Sequence, residues 1–292
     1  MENLKASRAL FFLPIYDDNK PEAWPLVTWL LLAACLVVFF IQMAASPMDA
    51  RLLMLQYATI PAVVTGESTL PADFAVIPPA ASLITSVFMH GGWLHLGGNM
   101  LYLWIFGDNV EDKMGPIRFA LFYLLCGAAA SLAHVLVNPG DETPLVGASG
   151  AIAGVLAAYL LMFPRARVRV FMVIIIFIRW IYLPAFVVLG AWLLLQVFAA
   201  PGSIGQSGGT AYFAHLGGFV AGLVLTPLFR KKGVPLMQSA AELNAEHDIT
   251  PVPMRTVRNE FVERYRHRKK PSRRGVPQVR RKPPQDKKGP WG

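Results

Sequence analysis

Apolar residues along this chain come in long unbroken runs, not in the one-faced or alternating patterns of soluble helices and strands. Leu26–Ala44 is free of charge throughout, and five comparable runs follow: His95–Val110, Ile117–Val137, Gly147–Phe163, Ile181–Ala199 and Tyr212–Phe229. About twenty mostly apolar residues cross a bilayer as a helix, so the pattern predicts six transmembrane helices in an all-α polytopic membrane protein. The first run is too long for the core of a signal peptide and is read as a retained span. Val168–Ala199 is too long for one span, since a single helix would reach about 48 Å against about 30 Å of hydrocarbon. Arg179 and Pro184 divide it. Val168–Ile178 is therefore expected to be an interfacial or re-entrant segment, with the fifth span beginning near Trp180.

The stretches between the runs differ in kind. Residues 45–94 are rich in Pro and Ala, with amphipathic pieces such as Ala50–Tyr57. That length is unusual for a structureless loop and predicts a small interfacial subdomain. Residues 1–23 form a leading segment and 24–229 the membrane domain. Residues 230–292 are polar, basic and proline-rich, unable to bury a core, and read as a disordered tail. Within it Met254, Val257, Phe261 and Tyr265 share one helical face among arginines, a pattern suited to anionic lipid headgroups.

Composition and charge add direction. The 292 residues are 54% hydrophobic and only 15% charged, where soluble globules carry about a quarter charged. From Arg230 onward lie 17 of the 27 Lys and Arg residues. The side of the membrane shared by the two ends also holds Lys5, Arg8, Lys20, Lys113, Arg165, Arg167, Arg169 and Arg179. The opposite loops, 45–94, 138–146 and 200–211, hold Arg51 alone. The positive-inside rule then makes both termini cytoplasmic. It also accounts for the basic tail, so no nucleic-acid partner is expected. Cys35 and Cys126 sit inside apolar runs and suit packing, not a disulfide framework or a metal site.

Polar groups inside spans are costly and point to function. His95, Asn99 and Tyr102 fall on one face of the second span, Ser149 opens the fourth, and His215 opens the sixth. These three spans run inward, so His95, Asn99, Ser149 and His215 share a shallow depth on the external side. The fourth run is short, which sets Ser149 below the surface at a helix N-terminus, where free N–H groups favour developing negative charge. A serine hydroxyl needs a base to act as a nucleophile, and His215 is available. Gly150 and Gly154 in span four and Gly218 and Gly222 in span six are each four apart, a spacing that lets helix backbones approach. Backbone N–H groups of Ser149 and Ala148, with His95 and Asn99, supply donors for an oxyanion. No carboxylate is placed to orient His215, so the arrangement is a dyad. His90, His95 and His215 lack the carboxylate or thiolate that would complete a metal site. His90 and His134 are read as structural.

The elements His90-Gly91-Gly92-Trp93-Leu94-His95-Leu96-Gly97-Gly98-Asn99, Gly147-Ala148-Ser149-Gly150, and Ala214-His215 with Gly218 and Gly222 resemble the rhomboid family of intramembrane serine proteases, in order and in span. The resemblance covers about residues 24–229. It implies a six-helix rhomboid-like bundle, a Ser149–His215 dyad, and oxyanion contacts from His95, Asn99 and amides near Ser149. It also implies transmembrane or juxtamembrane segments of other proteins as substrates, and neither metal nor cofactor. Many members carry a Trp-Arg pair in the first external loop; here Arg51 follows Ala50. Val168–Ile178 matches the subset with a hydrophobic segment before span five. A bacterial plasma (inner) membrane is the expected location. The rival reading is a non-catalytic rhomboid-like protein that binds client helices, which loss of the serine or the histidine would mark; both are present.

Overall fold

The computed structural model describes residues 10–174, 177–204 and 209–239. The basic tail beyond these, with Met254, Val257, Phe261 and Tyr265, lies outside the described residues. Each of the six apolar runs contains a helix: α1 (Leu26–Ala44), α5 (Trp93–Met114), α6 (Pro116–Val137), α7 (Ser149–Met162), α8 (Ala185–Ala199) and α9 (Tyr212–Phe229). Three shorter helices, α2 (Pro47–Tyr57), α3 (Pro61–Thr65) and α4 (Ser82–Thr85), occupy the segment between α1 and α5. Ser46 opens α2 by accepting from the Asp49 N–H at 3.2 Å, with Pro47 at the first helical position.

Among the described residues four helices are long and apolar enough to cross a membrane: α1, α6, α8 with its following turn to Ser203, and α9. The other two depart from that description for identifiable reasons. Helix α7 has only 14 residues, about 21 Å of rise, and is buried along nearly its whole length among its neighbours. Helix α5 runs past the expected Val110 and carries Glu111, Asp112 and Lys113 in its last turn. Those acidic groups hold the start of α1. Glu111 is buried and accepts from the Val27 and Thr28 N–H groups at 2.9 and 2.7 Å and from the Thr28 hydroxyl at 2.8 Å. Asp112 accepts from the Ala23 N–H at 3.1 Å. Helix α1 has no side-chain cap of its own, and a neighbouring helix satisfies its orphan donors instead.

The all-α expectation is corrected by a three-stranded antiparallel sheet in the order β1 (Leu10–Asp17), β2 (Arg167–Ile174), β3 (Phe177–Pro184). Residues 168–174 and 177–178 thus belong to two paired antiparallel strands and not to a re-entrant piece, and the helix of the fifth run, α8, begins at Ala185. The physical cause is a period of two. Arg165, Arg167 and Arg169 are exposed while Ala166, Val168 and Val170 are buried, the alternation of a strand with one covered face. On the exposed face Arg169 lies over the Trp180 ring at 4.8 Å. Pro14, which has no N–H to give, sits in the edge strand β1 beside a break in register between Pro14 and Tyr16. Asp17 ends that strand buried in the bundle, accepting from the Asn109 amide at 3.1 Å and from the Tyr159 hydroxyl.

Candidate active site

Ser149 is the first residue of α7. The chain approaches it through Leu145, Val146, Gly147 and Ala148, and the α2–α4 segment holds that approach in place. Thr59 and Leu145 exchange backbone hydrogen bonds at 3.1 and 2.7 Å, and the Gly147 N–H donates to the Ser86 carbonyl at 3.0 Å. Gly147 has φ of 126°, and a Cβ there would lie 2.7 Å from the His95 ring. Conformation and space both require glycine. No side chain caps α7, so the first-turn N–H groups, Ser149 among them, have no acceptor within the helix.

Close backbone contact brings the partner histidine in. Gly150 and Gly154 of α7 face Gly218 and Gly222 of α9, and a Cβ on Gly218 or Gly222 would fall onto the Gly150 or Gly154 carbonyl. His215, in the first turn of α9, thereby places Nε2 2.8 Å from Ser149 Oγ. From the other side α5 presents His95 and Asn99, one turn apart, toward Gly147. Asn99 Nδ2 is buried and has no hydrogen-bond partner among the described residues. His95 Nδ1 accepts from the Gly91 N–H at 3.4 Å, so in the neutral ring the proton sits on Nε2, the nitrogen turned toward Gly147. Ser149, His215, His95 and Asn99 all line one cavity of about 540 Å³, together with Tyr102. The four candidates that the sequence set at one depth therefore converge. His90 and His134 are not in its lining; the His90 ring packs 5.3 Å from that of His95. Gln42 of α1 holds the His90 backbone, donating to its carbonyl at 3.3 Å and accepting from its N–H at 3.2 Å.

The family assignment follows from comparison. A family model described as a rhomboid domain matches residues 80–232, just over half of the chain. The chain belongs to the rhomboid family. Its relatives include the mitochondrial rhomboid protein 1 of Saccharomyces cerevisiae, 34% identical over 49% of this chain and 40% of that protein. The chloroplastic rhomboid-like protein 11 of Arabidopsis thaliana is 33% identical over 53% of this chain and 54% of its own length. RHOMBOID-like protein 1 of the same plant is 29% identical over 77% of this chain and 51% of its own. The chain thus spans about half, or less, of the curated rhomboids it matches. The first two are mitochondrial and chloroplastic by name, so the expected bacterial plasma membrane gains no support from them. The matched region, 80–232, contains every rhomboid motif quoted from the sequence and the four candidates that line the cavity.

Two residues packed against His215 were missed from sequence, Trp192 in the cavity lining and Gln196 behind the imidazole. Gln196 Oε1 lies 2.8 Å from His215 Nδ1, and Trp192, one turn earlier on α8, packs its ring 5.9 Å from the imidazole. A signal existed: Gln196 is the one carboxamide in the otherwise apolar run Ala185–Ala199, and a search restricted to carboxylates passes over it.

Proposed function

We propose that this chain is an intramembrane serine endopeptidase whose substrates are transmembrane or juxtamembrane segments of other membrane proteins. The observation that carries the reading is the 2.8 Å hydrogen bond between Ser149 Oγ and His215 Nε2, beside a buried amide donor, Asn99 Nδ2, that has no partner among the described residues. A donor left unpaired in a cavity is suited to a charge that forms only during reaction. In the scheme, His215 Nε2 takes the Ser149 proton as Oγ bonds to the scissile carbonyl carbon. The oxyanion is held by Asn99, His95 and the N–H groups of Ser149 and Ala148. The C–N bond then breaks as His215 returns the proton to the leaving amine, and water cleaves the acyl ester by the same route. Six spans, α1 and α5 to α9, with both termini cytoplasmic, set this chemistry toward the external side. An intact substrate helix keeps its carbonyls hydrogen-bonded, so the substrates carry Gly, Ala, Ser or Pro near the external end of a span.

Two variants, Ser149→Ala and His215→Ala, should each reduce cleavage of a transmembrane reporter by at least about 10³-fold while leaving thermal unfolding in detergent intact. Ser149→Ala should also abolish labelling by a fluorophosphonate. Cleavage retained in either variant removes the mechanism.

A further inference from the structure

We infer that Gln196 is a positioning residue for His215, fixing the imidazole in the tautomer that leaves Nε2 free to accept the Ser149 proton. The inference rests on the hydrolytic reading above and makes the dyad a three-membered chain drawn from α7, α9 and α8.

The hydrogen-bond directions determine the tautomer. Gln196 is buried, and its Nε2 donates to the Trp192 carbonyl at 3.3 Å. That contact turns Oε1 toward His215, 2.8 Å from Nδ1. A carboxamide oxygen only accepts, so Nδ1 carries the proton, and a neutral imidazole has one N–H. His215 Nε2 therefore presents its lone pair to Ser149 Oγ at 2.8 Å. The other tautomer would point an N–H at the serine oxygen and provide no base. Trp192 restricts the ring as well, packing at 5.9 Å with an interplanar angle of 37°. Both residues are four apart and on one face of α8. As the imidazole takes up the serine proton, Nδ1–H stays bonded to Gln196 Oε1, so no rotation is needed between the two halves of the reaction.

The test uses the full chain in detergent micelles with three variants. Gln196→Leu removes the acceptor, Gln196→Glu keeps one, and Ser149→Ala controls for site. Phosphonylation of Ser149 by a fluorophosphonate is followed over reagent concentration, and nitrogen NMR of labelled histidine reads the His215 tautomer. The limiting rate in Gln196→Leu should fall about ten- to a hundredfold with the half-saturating concentration nearly unchanged, since base catalysis as a whole contributes about 10²–10⁴. Gln196→Glu should stay within a few-fold of wild type. The spectrum should show the proton on Nδ1 in wild type and a mixture of tautomers in Gln196→Leu. If Gln196→Leu folds poorly, Gln196→Met fills the space without an acceptor. A wild-type rate in either acceptor-free variant overturns the inference, as does an equal loss in Gln196→Glu, which would mean packing alone. Failure of the wild type to label would sink the hydrolytic reading separately. The tautomer then decides, a proton on Nδ1 upholding the inference and one on Nε2 overturning it.

Discussion

Glycine sets the geometry around Ser149 at the scale of single residues. The 2.8 Å reach from His215 to Ser149 depends on α7 and α9 touching backbone to backbone, and that contact has no room for a side chain at Gly218. Gly218→Ala would force the two helices apart by an amount the rigid bundle resists. Overpacking of this kind costs about 1–3 kcal/mol, and the displaced imidazole loses its serine. The expected outcome is lower thermal stability in detergent together with fluorophosphonate labelling reduced at least tenfold. Gly97, whose added Cβ would meet nothing within 4 Å, supplies the control: alanine there should leave labelling within about twofold. Equal effects at the two positions would show that helix separation does not govern Ser149.

Among the elements, α1 shows a span whose starting point is set by another helix. The charges at the end of α5 look misplaced in a membrane run until their partners are seen. Glu111 satisfies two helix N–H groups and a hydroxyl. Glu111→Ala should cost about 1–3 kcal/mol, the range for leaving a buried donor unpaired, and should loosen α1, with Glu111→Gln intermediate. Denaturation in mixed micelles measures the first, and cysteine accessibility at Thr28→Cys the second. This also marks what hydropathy alone can tell. Runs such as Leu26–Ala44 and Tyr212–Phe229 coincide with their helices to the residue, because an apolar stretch bounded by polar groups has one economical conformation in lipid. The hairpin β2–β3 was legible too, in Arg165–Val170, but a reading by length and mean hydropathy averages away a period of two. The pairing of Thr59 with Leu145 left no such trace, because backbone hydrogen bonds between distant segments do not depend on side-chain type. Ser149, His215, His95 and Asn99 were legible because each is a polar exception in an apolar run.

Across the molecule, the leading strand and the candidate site meet on one helix. Tyr159 of α7 donates its hydroxyl to Asp17 at the end of β1, and Ser149 lies ten residues earlier on α7, about 15 Å along the axis. Burial pushes the Asp17 carboxyl up to about 8, and the nearby Asp108 and Asp18 act in the same direction, while the Tyr159 hydrogen bond opposes them. A carboxyl raised in the folded state from an ordinary value of 3.8 holds a proton there that the unfolded chain has released. Its contribution to stability is fully present below pH 3.8 and is lost as pH rises through about 8. The strand is therefore docked more firmly at pH 5 than at pH 9. Asp17→Asn keeps an acceptor for Tyr159 and cannot ionise. Thermal unfolding in detergent at the two pH values should show a larger fall for wild type than for Asp17→Asn, and protease access to the chain before Pro25 should rise with pH in wild type alone. Parallel pH dependence in the two proteins would mean that Asp17 does not titrate in the docked strand. If Ser149 labelling tracks strand release across the same range, the packing of α7 against β1 reaches the cavity; if labelling stays level while the strand frees, the two ends of α7 act independently.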